Sequence, residues 1–93
     1  MAVKLLSSEE ISSIKLNLPE WQIVKNELIR KFEFENFVEA FAFLTKVAII
    51  AESMCHHPEL INVYSKVTIK LTTHDLGGIS DLDIKLANKI NRL

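Results

Sequence analysis

Apolar and polar residues along the chain alternate between a helical and a strand period, and the switches between them mark the elements. Leu6-Ser7-Ser8-Glu9-Glu10-Ile11 reads as a helix start, with Ser7 at the N-cap, Glu10 reaching back as capping-box partner and Leu6 stapled against Ile11. That helix runs to about Asn17, and Pro19 ends it. Trp21 to Val24 and Leu28 to Glu35 then read as two strands, the second alternating Phe32 and Phe34 against Lys31, Glu33 and Glu35. They form a hairpin with one apolar face.

Asn36 caps the next helix with Glu39 three positions on, and Phe37, Phe41, Leu44, Ala48 and Ala51 recur at helical spacing to about Met54. Pro58 biases His57 toward extended backbone, so the helix stops before it. Ile61 to Ser65 and Val67 to Thr73 are a second strand pair, with Val67, Ile69 and Leu71 on one side and Thr68, Lys70 and Thr72 on the other. His74 falls at the end of that pair, and Gly77-Gly78 marks the turn out. Ser80 caps a last helix with Asp81 and Asp83 in its first turn; its apolar residues are Leu82, Ile84, Leu86, Ala87 and Ile90.

The order helix, strand, strand, helix, strand, strand, helix implies an α+β fold: a four-stranded antiparallel sheet with helices packed on one face, because each amphipathic element must bury its apolar side. Residues 1–93 fit one domain with one small core. Exposed sheet edges and a thin core would both be relieved by pairing with another copy, so a homodimer or homotetramer is expected.

Composition narrows the function classes. With 48% hydrophobic and 25% charged residues the chain reads as an ordinary soluble globular protein. A net charge of -1 gives no electrostatic footprint for nucleic acid or anionic lipid. Cys55 is the single cysteine, which excludes an intrachain disulfide and a thiolate zinc cage and fits a reducing, cytoplasmic setting. Met1 to Glu10 holds no apolar run of secretory length, and no segment reaches the roughly 18 apolar residues of a membrane span.

The chemistry is concentrated late in the chain, where all three histidines, His56, His57 and His74, fall close together. Imidazole, with an unperturbed pKa of roughly 6.5, both donates and accepts protons near neutrality. Glu52 and His56 are four apart on the last turns of a helix, so the carboxylate is expected to orient that imidazole; a solvated surface pair is the plainer reading. His56 and His57 are adjacent and held by Pro58, so they point different ways, and His74 stands where loops from a rigid sheet present functional groups. Each of these residues also has an ordinary structural role: Asp83 as a helix-start carboxylate behind Ser80, Tyr64 as a strand packing residue, and Trp21 as core or rim.

Together the residues form an ordered pattern, E-x3-H-H-P-x5-Y-x9-H-x8-D, filled by Glu52, His56, His57, Pro58, Tyr64, His74 and Asp83. This pattern resembles the motif of the pterin-4a-carbinolamine dehydratases, also known as dimerization cofactors of a homeodomain transcription factor. The likeness continues through Trp21, Lys31-Phe32-Glu33-Phe34 with Phe37, and Thr73-His74 leading to Gly78, Ser80, Asp83-Ile84 and Leu86-Ala87. Glu20 stands where the family often has glycine, and the segment from Trp21 to Phe32 looks shorter than in animal members.

The resemblance implies dehydration of a 4a-hydroxytetrahydropterin to quinonoid dihydropterin, with no metal and no organic cofactor. It implies His56 and His74 as acid and base, with His57 holding the substrate and sharing in proton transfer. Glu52 and Asp83 would orient imidazoles or bind, and Pro58, Thr73, Asp75 and Leu76 would border the pterin. It also implies a tetramer built by pairing sheet edges and then packing helices. Two other readings compete: a metal site formed by Glu52, His56 and His74, and an interaction or assembly module of the kind some relatives form. A pure scaffold has no need of the intact histidine set, which favours catalysis.

Overall fold

In chain order the computed structural model, which describes residues 3–93, runs α1 (Ser8–Asn17), β1 (Gln22–Val24), β2 (Glu27–Glu33), α2 (Phe37–Met54), β3 (Glu59–Val63), β4 (Lys66–Leu71), a 3-10 turn (His74–Leu76) and α3 (Asp81–Asn91). The reading of Met1 to Glu10 as too polar for a signal segment falls partly outside the described residues. Among the described residues no helix is long and apolar enough to cross a membrane.

The strands form one antiparallel sheet in the order β1-β2-β4-β3, as the α+β reading expects. Alternation on β4 is strict, with Val67, Ile69 and Leu71 fully buried, and Leu28 of β2 is fully buried opposite Leu71. They face Ile14 of α1, Ala40, Leu44, Val47 and Ala51 of α2, and Leu86, Ala87 and Ile90 of α3 in one core. Each such branched aliphatic side chain contributes on the order of 1.5–3 kcal/mol by leaving water. The opposite face carries Lys31, Ile61, Val63 and Thr68, and no helix among the described residues packs on it.

The helix starts follow the sequence closely. Ser7 accepts the Glu10 N–H while the Glu10 carboxylate accepts the Ser7 N–H, a complete capping box. Asn36 accepts the Glu39 N–H in the same way for α2.

Besides strand ends in the first hairpin that shift by one or two residues (β1 Gln22–Val24, β2 Glu27–Glu33), four details differ from the sequence reading. On α2 the core stripe is Ala40, Leu44, Val47 and Ala51, whereas Phe37 and Phe41 are 49% and 56% exposed and Ala48 is exposed. That helix is apolar on nearly every side, so periodicity alone does not select a face; small Ala40 and Ala51 let it lie close to the sheet. Leu82 and Ile84 are half-buried, and α3 buries Asp83 in their stead, with Leu86, Ala87 and Ile90. Strand β3 begins at Glu59, directly after Pro58, and ends at Val63. Tyr64 therefore sits in a two-residue turn at φ 54°, braced by Asn62 Nδ2 donating to the carbonyls of Tyr64 and Lys66. Finally, β4 stops at Leu71, and Thr73 makes a separate bridge with Gly78.

Trp21 belongs to the core. It is buried and donates its indole N–H to Asn91 Oδ1 at 2.9 Å, while Arg30 donates to the same oxygen at 2.5 Å, pinning the end of α3 to the sheet.

Candidate active site

Two chain reversals bring the histidines together. At the end of α2, Cys55 adopts the left-handed conformation (φ 52°, ψ 36°), its N–H donating to Glu52 O and the His56 N–H to Ala51 O. This paired closure satisfies the last carbonyls of the helix and turns the chain sharply. His56 therefore lies beyond the helix, and helical spacing no longer relates it to Glu52. The expected Glu52–His56 pair does not form; Glu52 Oε1 meets His57 Nε2 at 2.8 Å, and both side chains are largely exposed. His56 and His57 reach different carboxylates, Asp83 and Glu52 respectively.

The second reversal follows β4. The Thr73 N–H donates to Gly78 O at 2.8 Å, closing a short loop whose 3-10 turn presents His74 and Asp75. Gly77 takes φ 74°, a conformation that glycine adopts without strain. Gly78 is packed tightly, since a Cβ there would lie 3.3 Å from Leu5 Cδ1.

Between these loops stands the N-terminus of α3 with a fully buried carboxylate. Asp83 Oδ2 accepts the Ser80 N–H at 2.8 Å and the Thr73 hydroxyl at 2.9 Å, and Oδ1 lies 2.5 Å from His56 Nε2. The His56 side chain is 11% exposed. Thr73 Oγ1 and Ser80 Oγ are 2.6 Å apart, and Ser80 Oγ accepts the Leu82 N–H. The two roles available to Asp83 from sequence, helix capping and orienting an imidazole, are met by one side chain through its two oxygens.

His56, His57, Thr72, Thr73, His74 and Asp75 line an open cleft of about 220 Å³. The three histidines thus share one site. Of the other candidates, Asp83 lies behind the cleft wall as a support, and Glu52 reaches the cleft only through His57. Pro58 and Leu76 are not among the lining residues, and Tyr64 is at a distant hairpin tip. Thr72 is a lining residue that the sequence reading passed over; its hydroxyl donates to Asn26 O, tying the cleft rim to the β1–β2 turn. Its place directly after β4, beside Thr73-His74, was the signal available.

A larger hollow of about 460 Å³ lies on the bare sheet face, lined by Lys31, Glu33, Ile61, Lys66 and Thr68 among others. None of its lining residues is a histidine, whereas the smaller cleft gathers all three. Among the described residues no three His, Cys, Asp or Glu side chains converge as metal ligands; Glu52, which such a site would need beside His56 and His74, is turned toward His57.

Comparison with known proteins gives a consistent result. The family model described as pterin 4 alpha carbinolamine dehydratase matches residues 4–93. A Prochlorococcus marinus protein, provisionally named pterin-4-alpha-carbinolamine dehydratase, is 53% identical over all of this chain and 97% of its own. A Synechococcus protein with the same provisional name is 52% identical over 96% of each chain. Among solved structures, a transcriptional coactivator/pterin dehydratase from Brucella melitensis superposes with a TM-score of 0.88 at 38% identity, covering 94% of this chain and 95% of the other. A pterin dehydratase-like protein identified as a RuBisCO assembly factor in the alpha-carboxysome shares the fold, with a TM-score of 0.63 at 23% identity over 77% of this chain and 83% of its own.

Proposed function

The chain belongs to the pterin 4 alpha carbinolamine dehydratase family, and from that premise we propose that it dehydrates a 4a-hydroxytetrahydropterin to quinonoid dihydropterin and water by histidine acid/base catalysis, as part of tetrahydropterin recycling. The observation that carries this reading is the gathering of His56, His57 and His74 around one cleft, with His56 anchored from behind by Asp83. The reaction needs a proton on the departing 4a-oxygen as the C4a–O bond breaks. It also needs removal of the N5 proton, so that its electron pair forms the C4a–N5 double bond. Two imidazoles at different points of one cleft suit that pair of transfers without a metal or organic cofactor.

His56, which is anchored, and His74, which stands on the 3-10 turn, are the acid/base pair of this reading. His57 holds the substrate, with Glu52 orienting its ring. Asp75 borders the pterin from the cleft rim; Pro58 and Leu76, outside the lining, shape the two loops that flank it. The whole chain acts as one domain in a cytoplasmic setting, in line with a single cysteine that is free and exposed.

Assembly into a homodimer or homotetramer completes the proposal. Its support is the apolar surface on α2, where Phe37, Val38, Phe41 and Ile49 are all about half exposed or more, together with the unpaired outer edge of β3. The same surface favours the second reading, an interaction or assembly module. The two separate in one assay: stopped-flow dehydration of a synthetic 4a-hydroxytetrahydropterin in metal-free buffer, comparing wild type with His74→Ala. Acceleration by the wild type that the variant loses supports the dehydratase. No acceleration by the wild type overturns it and leaves the interaction role.

A further inference from the structure

We infer that Thr73 is a positioning residue: through Asp83 its hydroxyl holds the His56 proton on Nε2, so that Nδ1 is the nitrogen that meets the substrate. This rests on the dehydratase reading for its consequence, though not for its geometry. Thr73 stood among the pterin contacts implied by resemblance, yet its hydroxyl is turned to the protein, 2.9 Å from Asp83 Oδ2 and 2.6 Å from Ser80 Oγ.

The directions of these hydrogen bonds follow from counting protons. A hydroxyl carries one proton, and an ionised carboxylate only accepts. Asp83 Oδ2 accepts from the Ser80 N–H, which can do nothing but donate, and the Thr73 proton is directed to the same oxygen. Having given its proton to Asp83, Thr73 can only accept from Ser80, whose own oxygen accepts the Leu82 N–H. The chain is therefore one-way: Leu82 N–H to Ser80, Ser80 to Thr73, and Thr73 to Asp83.

With Oδ2 taken by two donors, Asp83 turns Oδ1 alone to His56 Nε2. An ionised carboxylate can only accept, so the hydrogen bond between them is donated from Nε2–H. The neutral ring then has its lone pair on Nδ1. That atom makes no hydrogen bond to the described residues, and no buried side-chain nitrogen among them lacks a partner, so Nδ1 reaches solvent at the cleft. The start of α3 thus does two tasks with one carboxylate: it caps a helix and sets which nitrogen of a histidine in another loop is free.

The test is nitrogen-15 NMR of the imidazoles in the full chain, with kinetics alongside, for wild type, Thr73→Val and Thr73→Ser. In the wild type the neutral His56 ring is expected as the Nε2–H tautomer. Thr73→Val removes one of the two donors that hold Oδ2, so the Asp83 carboxylate is expected to turn, weakening the Nε2–H preference of His56 and lowering kcat by about tenfold with KM nearly unchanged, and Thr73→Ser to restore both. A wild-type His56 in the Nδ1–H form overturns the inference without any variant, as does a Thr73→Val protein that keeps the wild-type tautomer. Thr73→Val raising KM alone also overturns it, because the hydroxyl would then be a substrate contact. If the wild type dehydrates no pterin, the functional reading fails while the tautomer measurement still decides the positioning role.

Discussion

His56 Nε2 lies 2.5 Å from Asp83 Oδ1 across 27 residues of sequence, and the carboxylate is fully buried while the imidazole keeps a narrow opening to the cleft. Asp83→Asn tests the consequence. The amide oxygen can still accept the Ser80 N–H, but its NH2 group then faces Nε2 and requires that atom to accept. Turnover is expected to fall by about tenfold or more. The cost in stability is expected to be on the order of 1–3 kcal/mol, measured by urea unfolding. Wild-type turnover in Asp83→Asn would remove Asp83 from the catalytic account.

His56→Ala and His74→Ala should each slow dehydration at least about tenfold, or about 1.4 kcal/mol in the barrier, but they should differ in stability. His74 is exposed and makes no side-chain hydrogen bond to the described residues, so its removal leaves thermal unfolding unchanged. Removing His56 strands a buried carboxylate oxygen and is expected to cost about 1–3 kcal/mol. Rates corrected for folded fraction decide the matter, and wild-type rates in both variants would exclude proton transfer by these residues.

Glu52→Ala isolates function from structure. The Glu52 and His57 side chains are 80% and 66% exposed, so water screens their interaction and the substitution should change stability by no more than about 0.5 kcal/mol. A rise in KM at constant stability is the result expected if Glu52 orients His57 against substrate. Unaltered kinetics would make the pair a solvated surface contact.

Phe41→Glu tests assembly. Phe41 is 56% exposed and meets the half-exposed Phe37 in a tilted ring pair, centroids 5.8 Å apart. A charge here should reduce the mass found by light scattering while the far-ultraviolet dichroism of the folded chain persists. An unchanged mass would take the contact between copies away from this face of α2.

Glu10 predicts an acid limb of stability. Its carboxyl is held below the usual glutamate value chiefly by the Ser7 backbone N–H and then the Ser7 hydroxyl, with Lys4 adding a little. A carboxyl depressed by folding contributes stability above its unfolded value and loses it as pH falls through the folded one. Glu10→Gln should therefore differ from wild type in urea midpoint near neutrality, and the difference should close as the pH falls below the usual glutamate range. A difference constant across that range would mean that the capping charge has no linkage to folding.

Much of this fold was legible because its signals are local. Ser7 with Glu10 and Ser80 with Asp83 are capping pairs three residues apart, and Val67-x-Ile69-x-Leu71 states a buried strand face in five consecutive residues. On α2 the local signal was ambiguous, since apolar residues surround the helix and only contact with the sheet shows that Ala40 and Val47 face inward and Phe37 and Phe41 do not.

The site divides along the same line. Sequence by itself determined the histidine set, its motif spacing and the position of Asp83 in the first turn of a helix, because residue type and short-range order carry those facts. Tertiary structure decided which carboxylate serves which imidazole. The left-handed turn at Cys55 takes His56 off the helix that carries Glu52, and the packing of α3 brings Asp83 to it. It also decided that Thr73 faces Asp83, since hydrogen-bond partners between separate elements depend on how those elements pack and not on their order along the chain.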